Sequence, residues 1–235
     1  MVCALLGFFG LVVLLAVFGH RQKKKRRDAL AAWAAAQGLS FTPDKDHGFD
    51  DRFPAFRSLQ RGRNRYAFNL VQGDFEGRQL YAFDYHYETT SRSTDSKGRT
   101  QTRTRHHTFS AVILTPNLTL RPMLIRPEGF GDRIAGFFGK NDLDFESAQF
   151  SRRYHVSSPD RRFAYDVLHQ RAIQRLLDAP NHTLEFSPHH VLATRRKRRL
   201  KPTELLETVR LVDGILDDLP DYLRQQLREA DAWQD

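Results

Sequence analysis

The sequence predicts an α+β protein: an N-terminal transmembrane helix, then a mainly antiparallel sheet with helices packed on one face. Three observations carry this. Residues 2–19, VCALLGFFGLVVLLAVFG, hold no charged side chain. Residues 65–115 contain stretches that alternate apolar and polar side chains and are joined by turn signals, as half-buried strands do. Segments 158–180 and 202–219 repeat apolar residues at three- and four-residue spacing, the helical period. Successive strands joined by short turns pair antiparallel, which leaves the helices to cover a face.

The N-terminal run would span roughly 27 Å as a helix, close to the hydrocarbon thickness of a bilayer. No basic residue precedes it, and Phe18 and His20 flank its exit, against the pattern of a cleaved signal peptide. Cys3 is the sole cysteine, so disulfide frameworks and cysteine-based zinc sites are excluded. HRQKKKRR follows at once, and cations beside a span stay on the cytoplasmic side. The expected organisation is a membrane anchor at 1–20, a basic juxtamembrane helix at 21–38, a cytoplasmic α+β domain at 39–219 and an acidic tail at 220–235. The expected location is the inner cell membrane, crossed once, with the bilayer as partner through 2–19.

The alanine-rich segment 26–38 continues as helix, with Gly38 as its stop. A short strand is expected at 39–42 and a loop at 43–56. Strands at 65–75 and 78–88 flank Glu76-Gly77, a tight-hairpin signal. In the second strand Tyr81, Phe83, Tyr85 and Tyr87 share one face, while Ala82, Asp84, His86 and Glu88 share the other, read as a solvent-facing row. Segment 89–108 lacks apolar period and reads as a long mobile hairpin tip. Strands follow at 108–115 and 120–127, and a short helix at 129–139. Segments 142–147 and 150–157 read as a strand pair, which puts Arg152 among apolar residues and in need of Asp144 or Glu146. The clearest helix is 158–180, capped by Ser158-Pro159-Asp160 and closed by Pro180. A hairpin is expected over 183–187 and 190–196. The last long helix starts near Pro202 with the stripe Leu205, Val209, Val212, Leu216 and Leu219, and 221–232 forms a final exposed turn or helix.

Net charge is +9, unevenly spread. Residues 20–27 carry +6, 88–108 carry +3, 195–201 carry +6, and 203–235 carry −6. That is not the even basicity of a nucleic-acid protein. Arg21, Lys23, Lys24, Lys25, Arg26 and Arg27 would attract anionic lipid as well as set topology. Arg195, Arg196, Lys197, Arg198 and Arg199 form a candidate anion-binding block, or a solvated turn neutralised by the acidic C-terminal helix. Asp84, His86 and Glu88, with cross-strand His106, are candidate metal ligands, set against the simpler reading of a polar strand row. No helical zinc-protease spacing, nucleophile–base pair or phosphate-cradling loop is present. The glycines at 129–136 mimic a dinucleotide motif only loosely. No cofactor, metal or catalytic residue is therefore assigned.

The stretches DFESAQFSRRYHVSSPDRRFAYDVLHQRAIQRLL and LQRGRNRYAFNLVQGDFEGRQLYAFDYHYET resemble a family of uncharacterised bacterial proteins with one N-terminal membrane anchor. The resemblance covers most of the chain after residue 28 and implies no activity. His169-Gln170 stands where that family reads His-Pro, which would let the helix run on smoothly. The function expected is a non-catalytic binding or scaffolding module at the membrane, with no protein partner identified. The alternatives are an enzyme with a polar site on the 78–115 hairpin, and a membrane-tethered nucleic-acid binder using 99–105 and 195–199, the latter disfavoured because no aromatic residues interleave the basic block.

Overall fold

The computed structural model describes the backbone of residues 2–94, 98–128, 143–195 and 198–232, with side chains from Phe18 to Ala230 within those ranges. Helix α1 (Val2–Ala36) opens the chain and ends at Gly38, whose φ of +67° provides the left-handed stop. Eight strands follow: β1 (Ser40–Thr42), β2 (Arg63–Phe75), β3 (Arg78–Thr94), β4 (Thr100–Leu114), β5 (Met123–Pro127), β6 (Tyr154–Ser157), β7 (Thr183–Phe186) and β8 (Val191–Thr194). The other helices are α2 (Ala148–Arg153), α3 (Arg161–Val167), α4 (Gln170–Asp178), α5 (Pro202–Asp217) and α6 (Asp221–Ala232). The strands form one sheet in the order β1-β2-β3-β4-β8-β7-β5-β6, antiparallel at each junction.

The two sheet faces are covered differently. Ala82, Val112, Ala193 and Leu184 look toward the helices, and Leu30, Trp33 and Ala34 of α1, Val209, Val212 and Leu216 of α5, and Leu223 and Leu227 of α6 join them in one core. Phe83, Tyr85, Ala111, Ile113 and Leu192 look the other way, against Phe49, Phe53, Phe56 and Leu59 of the 43–62 loop. The expected helical face is present. The row Ala82, Asp84, His86 is buried instead of facing solvent, and α6 is packed rather than exposed.

The Glu76-Gly77 hairpin is as expected: both residues have positive φ (52° and 84°), which matches the strand twist of a two-residue turn. Segment 89–108 is a correction. β3 and β4 stay paired out to Thr94↔Thr100, so the described residues of this hairpin end form an exposed two-stranded ribbon. A backbone ladder needs no apolar period where both faces meet water.

The strand pair at 142–157 is also corrected. Ser147 accepts a hydrogen bond from Phe150 N and caps α2, and the strand begins only at Tyr154, pairing with β5. Arg152 is therefore exposed on a helix, its Nε donating to Ala148 O at 3.1 Å, and needs no acid. Arg153 instead reaches Asn181 Oδ1 (2.5 Å) and the carbonyls of Leu177 and Ala179, holding the end of α4. The single helix over 158–180 is two. Asp160, not Ser158, caps α3. His169 Nδ1 then accepts from Arg171 N while its Nε2–H donates to Asp218 O at 2.8 Å, starting α4. The helix expected at 129–139 lies outside the described residues. Among the described residues no helix is long and apolar enough to cross a membrane. The run 2–19 lies within α1 but, except for its last two residues, outside the described side chains.

Candidate functional site

Arg26, Leu30, Trp33 and Ala34 recur at helical spacing, so one stripe of α1 carries three apolar residues and, one turn upstream, a guanidinium. The apolar three pack on the core. Arg26 meets Asp84, 1% exposed on β3, through Nε to Oδ2 (2.7 Å) and Nη2 to Oδ1 (2.6 Å). Its Nη1 donates to Leu200 O at 2.7 Å. Ser110 Oγ and Asn69 Nδ2 also donate to Asp84, at 2.6 and 2.9 Å. A buried carboxylate with a bidentate partner and two further donors is fully satisfied, and this clamps the helix to the sheet.

Asn69 reaches Asp84 because β2 bulges. Phe68 faces Asp84 and Val71 faces Ala82, so Asn69 and Leu70 together oppose Phe83. Asn69 takes φ of +52°, a conformation asparagine tolerates. It is 4% exposed, and its Oδ1 has no hydrogen-bond partner among the described residues.

Beside this clamp lies a cavity of about 310 Å³, lined by Lys23, Arg26, Arg27, Lys45, Arg199 and Asn69, with Tyr66, Phe68, Pro43 and Thr108. Its lining includes no carboxylate. Lys45 Nζ sits 4.3 Å from the centroid of the Tyr66 ring. Arg26 is neutralised by Asp84, whereas Lys23, Arg27, Lys45 and Arg199 make no ion pair among the described residues.

The two basic blocks are thus divided. Lys24 pairs with Asp28 at 3.0 Å, and Arg21 and Lys25 are exposed outside the cavity. Arg198 binds Glu204 through Nη2 at 2.6 Å, and Arg195 lies 3.5 Å from both Glu204 and Glu207. Arg196 and Lys197 lie outside the described residues. Of the 195–199 block, Arg199 reaches the cavity. Arg198, together with the backbone N–H of Lys201, holds the Glu204 carboxyl down to about 2.

The candidate metal ligands are partly gathered. Glu88 Oε1 lies 3.4 Å from His106 Nδ1 and 3.7 Å from His86 Nε2. The three potential ligand atoms all fall within 4.8 Å of one another. Asp84, claimed by Arg26, stays out of this group. His86 stacks on Tyr66 (4.6 Å) and His106 (5.6 Å), and burial pushes its imidazole below the ordinary value against the pull of Glu88. Asn64 donates to Glu88 Oε1 at 2.7 Å and, with His106, His86 and Arg63, keeps that carboxyl below the usual range.

Lys45, Tyr66 and Asn69 were not legible as site residues. Lys45 is one charge in a loop, and only an asparagine midway along an apolar strand hinted at the bulge.

No protein-family model matches the chain, and no curated protein matches it. Among solved structures it is similar to the crystal structure of the mycobacterial trehalose monomycolate transport factor A, TtfA, with a TM-score of 0.59 and 16% identity over 84% of this chain and 94% of that one. At that identity the likeness is one of fold.

Proposed function

We propose that this chain is a single-pass membrane protein whose α+β domain is a non-catalytic binding module at the inner face of the membrane, held there by its own first helix. The observation that carries the reading is the Arg26–Asp84 clamp. The basic segment after the apolar run does not tether the domain loosely but is built into its sheet. A fold like that of a protein described as a transport factor favours holding a membrane component over transforming it, by analogy. Localisation tests it. The full chain should resist alkaline carbonate extraction, and a C-terminal reporter active only outside the cytoplasm should be silent. Extraction, or an active reporter, would overturn the reading.

A second reading, an enzyme with its polar site on the 78–115 hairpin, is favoured by the His86–Glu88–His106 group. Two imidazoles and a carboxylate suit zinc, whose ligand atoms lie roughly 3–3.5 Å apart when each is about 2.1 Å from the ion. Under it, the detergent-purified full chain binds one Zn²⁺ per molecule and His86→Ala abolishes this. Failure to bind Zn²⁺ removes that reading.

A further inference from the structure

We infer that the cavity between α1 and the β2 bulge receives the phosphate-bearing head group of an anionic lipid, an assignment that rests on the membrane reading above. Four cations converge there from three separate parts of the chain: Lys23 and Arg27 from α1, Lys45 from the loop after β1, and Arg199 from the connection between β8 and α5. Lys23 and Arg27 are four residues apart and lie on one helix face. Like charges gathered without a counter-ion repel, so their convergence calls for an anion.

The second observation is Asn69 Oδ1. It is a buried acceptor without a donor on a residue that lines the cavity. A lipid phosphodiester has no donor of its own, so a head-group hydroxyl or ammonium supplies it. Cations for the phosphate and an acceptor for the polar group beside it match the two ends of a phosphoglycerol-type head. The volume, about 310 Å³, is at the small end of ligand sites, sized for a head group and not for acyl chains.

Depth agrees. At about 1.5 Å per residue, Lys23 lies roughly 6 Å and Arg27 roughly 12 Å beyond Gly19, where the apolar run ends. The polar zone of a leaflet is about 5–7 Å thick. Lys23 therefore sits at head-group level and Arg27 about 5 Å beyond it, so the cavity meets the head-group zone at its Lys23 edge.

The test uses the full chain in phosphatidylcholine nanodiscs with and without phosphatidylglycerol, and counts co-retained lipid by native mass spectrometry. Wild type should retain phosphatidylglycerol over phosphatidylcholine by about tenfold, and Lys45→Glu/Arg199→Glu should lose that preference. Arg21→Gln/Lys25→Gln, outside the cavity, should keep it. Circular dichroism checks folding, and Arg199→Gln alone serves if the double variant is misfolded. Equal retention by wild type and cavity variants overturns the proposal. So does displacement of the lipid by micromolar glycerol 3-phosphate or inorganic phosphate, which would make the ligand a soluble phosphate, or by a DNA oligonucleotide. Carbonate extraction of the same protein separates the two readings. A chain that is extracted yet binds glycerol 3-phosphate through Lys45 and Arg199 has lost the membrane reading and kept an anion site, with the lipid assignment overturned.

Discussion

Two groups of basic residues in this molecule have opposite fates. Around α5, guanidinium groups are matched with carboxylates: Arg78 at the start of β3 with Asp213 and Asp217, Arg171 and Arg175 of α4 with Asp218, Arg195 and Arg198 after β8 with Glu204. At the cavity beside α1, Lys23, Arg27, Lys45 and Arg199 have no such match among the described residues. The contrast divides even a single run, since Arg198 is paired and Arg199, next to it, is not. Charge that serves the fold is neutralised within the fold, whereas four cations without such a match among the described residues gather at one cavity. Which cations serve the fold is therefore decided by where the acids fall, Asp84 on β3 and the carboxylates in and just after α5, and not by the basic residues.

Arg26 is the link between the groups, and Asp84→Ala should produce the largest effect. It strands a guanidinium that is only 16% exposed and should cost about 3–5 kcal/mol, measured by denaturation of the full chain in micelles. A loss under about 1 kcal/mol would mean Arg26 escapes to water and belongs with the unpaired group.

His182 adds a third class, a base kept uncharged. It is 1% exposed, with Nε2 3.1 Å from Thr208 Oγ1, and burial lowers its imidazole to about 4. The unfolded chain therefore binds more protons below its own value near 6.5, and stability falls as pH drops from about 6.5 to about 4, by roughly 3 kcal/mol, then levels off. His182→Asn should flatten that part of the stability–pH curve. An unchanged slope would place the titration elsewhere.

Glu204→Gln should cost about 1 kcal/mol, because it weakens the bond to Lys201 N and releases the half-buried Arg195 and the exposed Arg198. The Glu204 carboxyl sits at about 2, below its unfolded value, so the wild-type advantage should hold at pH 5 and vanish only as pH falls toward about 2. Smallest of all, Lys45→Ala should leave stability within about 0.5 kcal/mol of wild type. A loss above about 1 kcal/mol would show that this lysine belongs to the structural group after all.

Much of the architecture was legible where local chemistry decides it: Gly38, the Glu76-Gly77 turn, the apolar stripe of α5. It failed where tertiary partners decide. Phe150, Arg152, Tyr154 and Val156 alternate like a strand, yet Ser147 caps a helix of six residues, too short to show its own period. The apolar spacing runs in phase through Leu168, so nothing marked the break that His169 makes by bonding Asp218, distant in sequence. The basic blocks of the site were visible as runs. Which members would be left over was not, because that depends on where Glu204 and Asp84 come to lie.

The continuity of α1 from the apolar run into the core has a geometric consequence. With no flexible joint between Gly19 and Arg26, the azimuth of the sheet about the helix axis is fixed by residue count. One residue inserted there would swing the whole domain by about 100° and shift it by about 1.5 Å, whereas four would nearly restore its heading one turn further away. The first helix is thus a keyed shaft, and the face that the domain turns toward its surroundings is encoded in the length of helix that precedes the Arg26–Asp84 clamp.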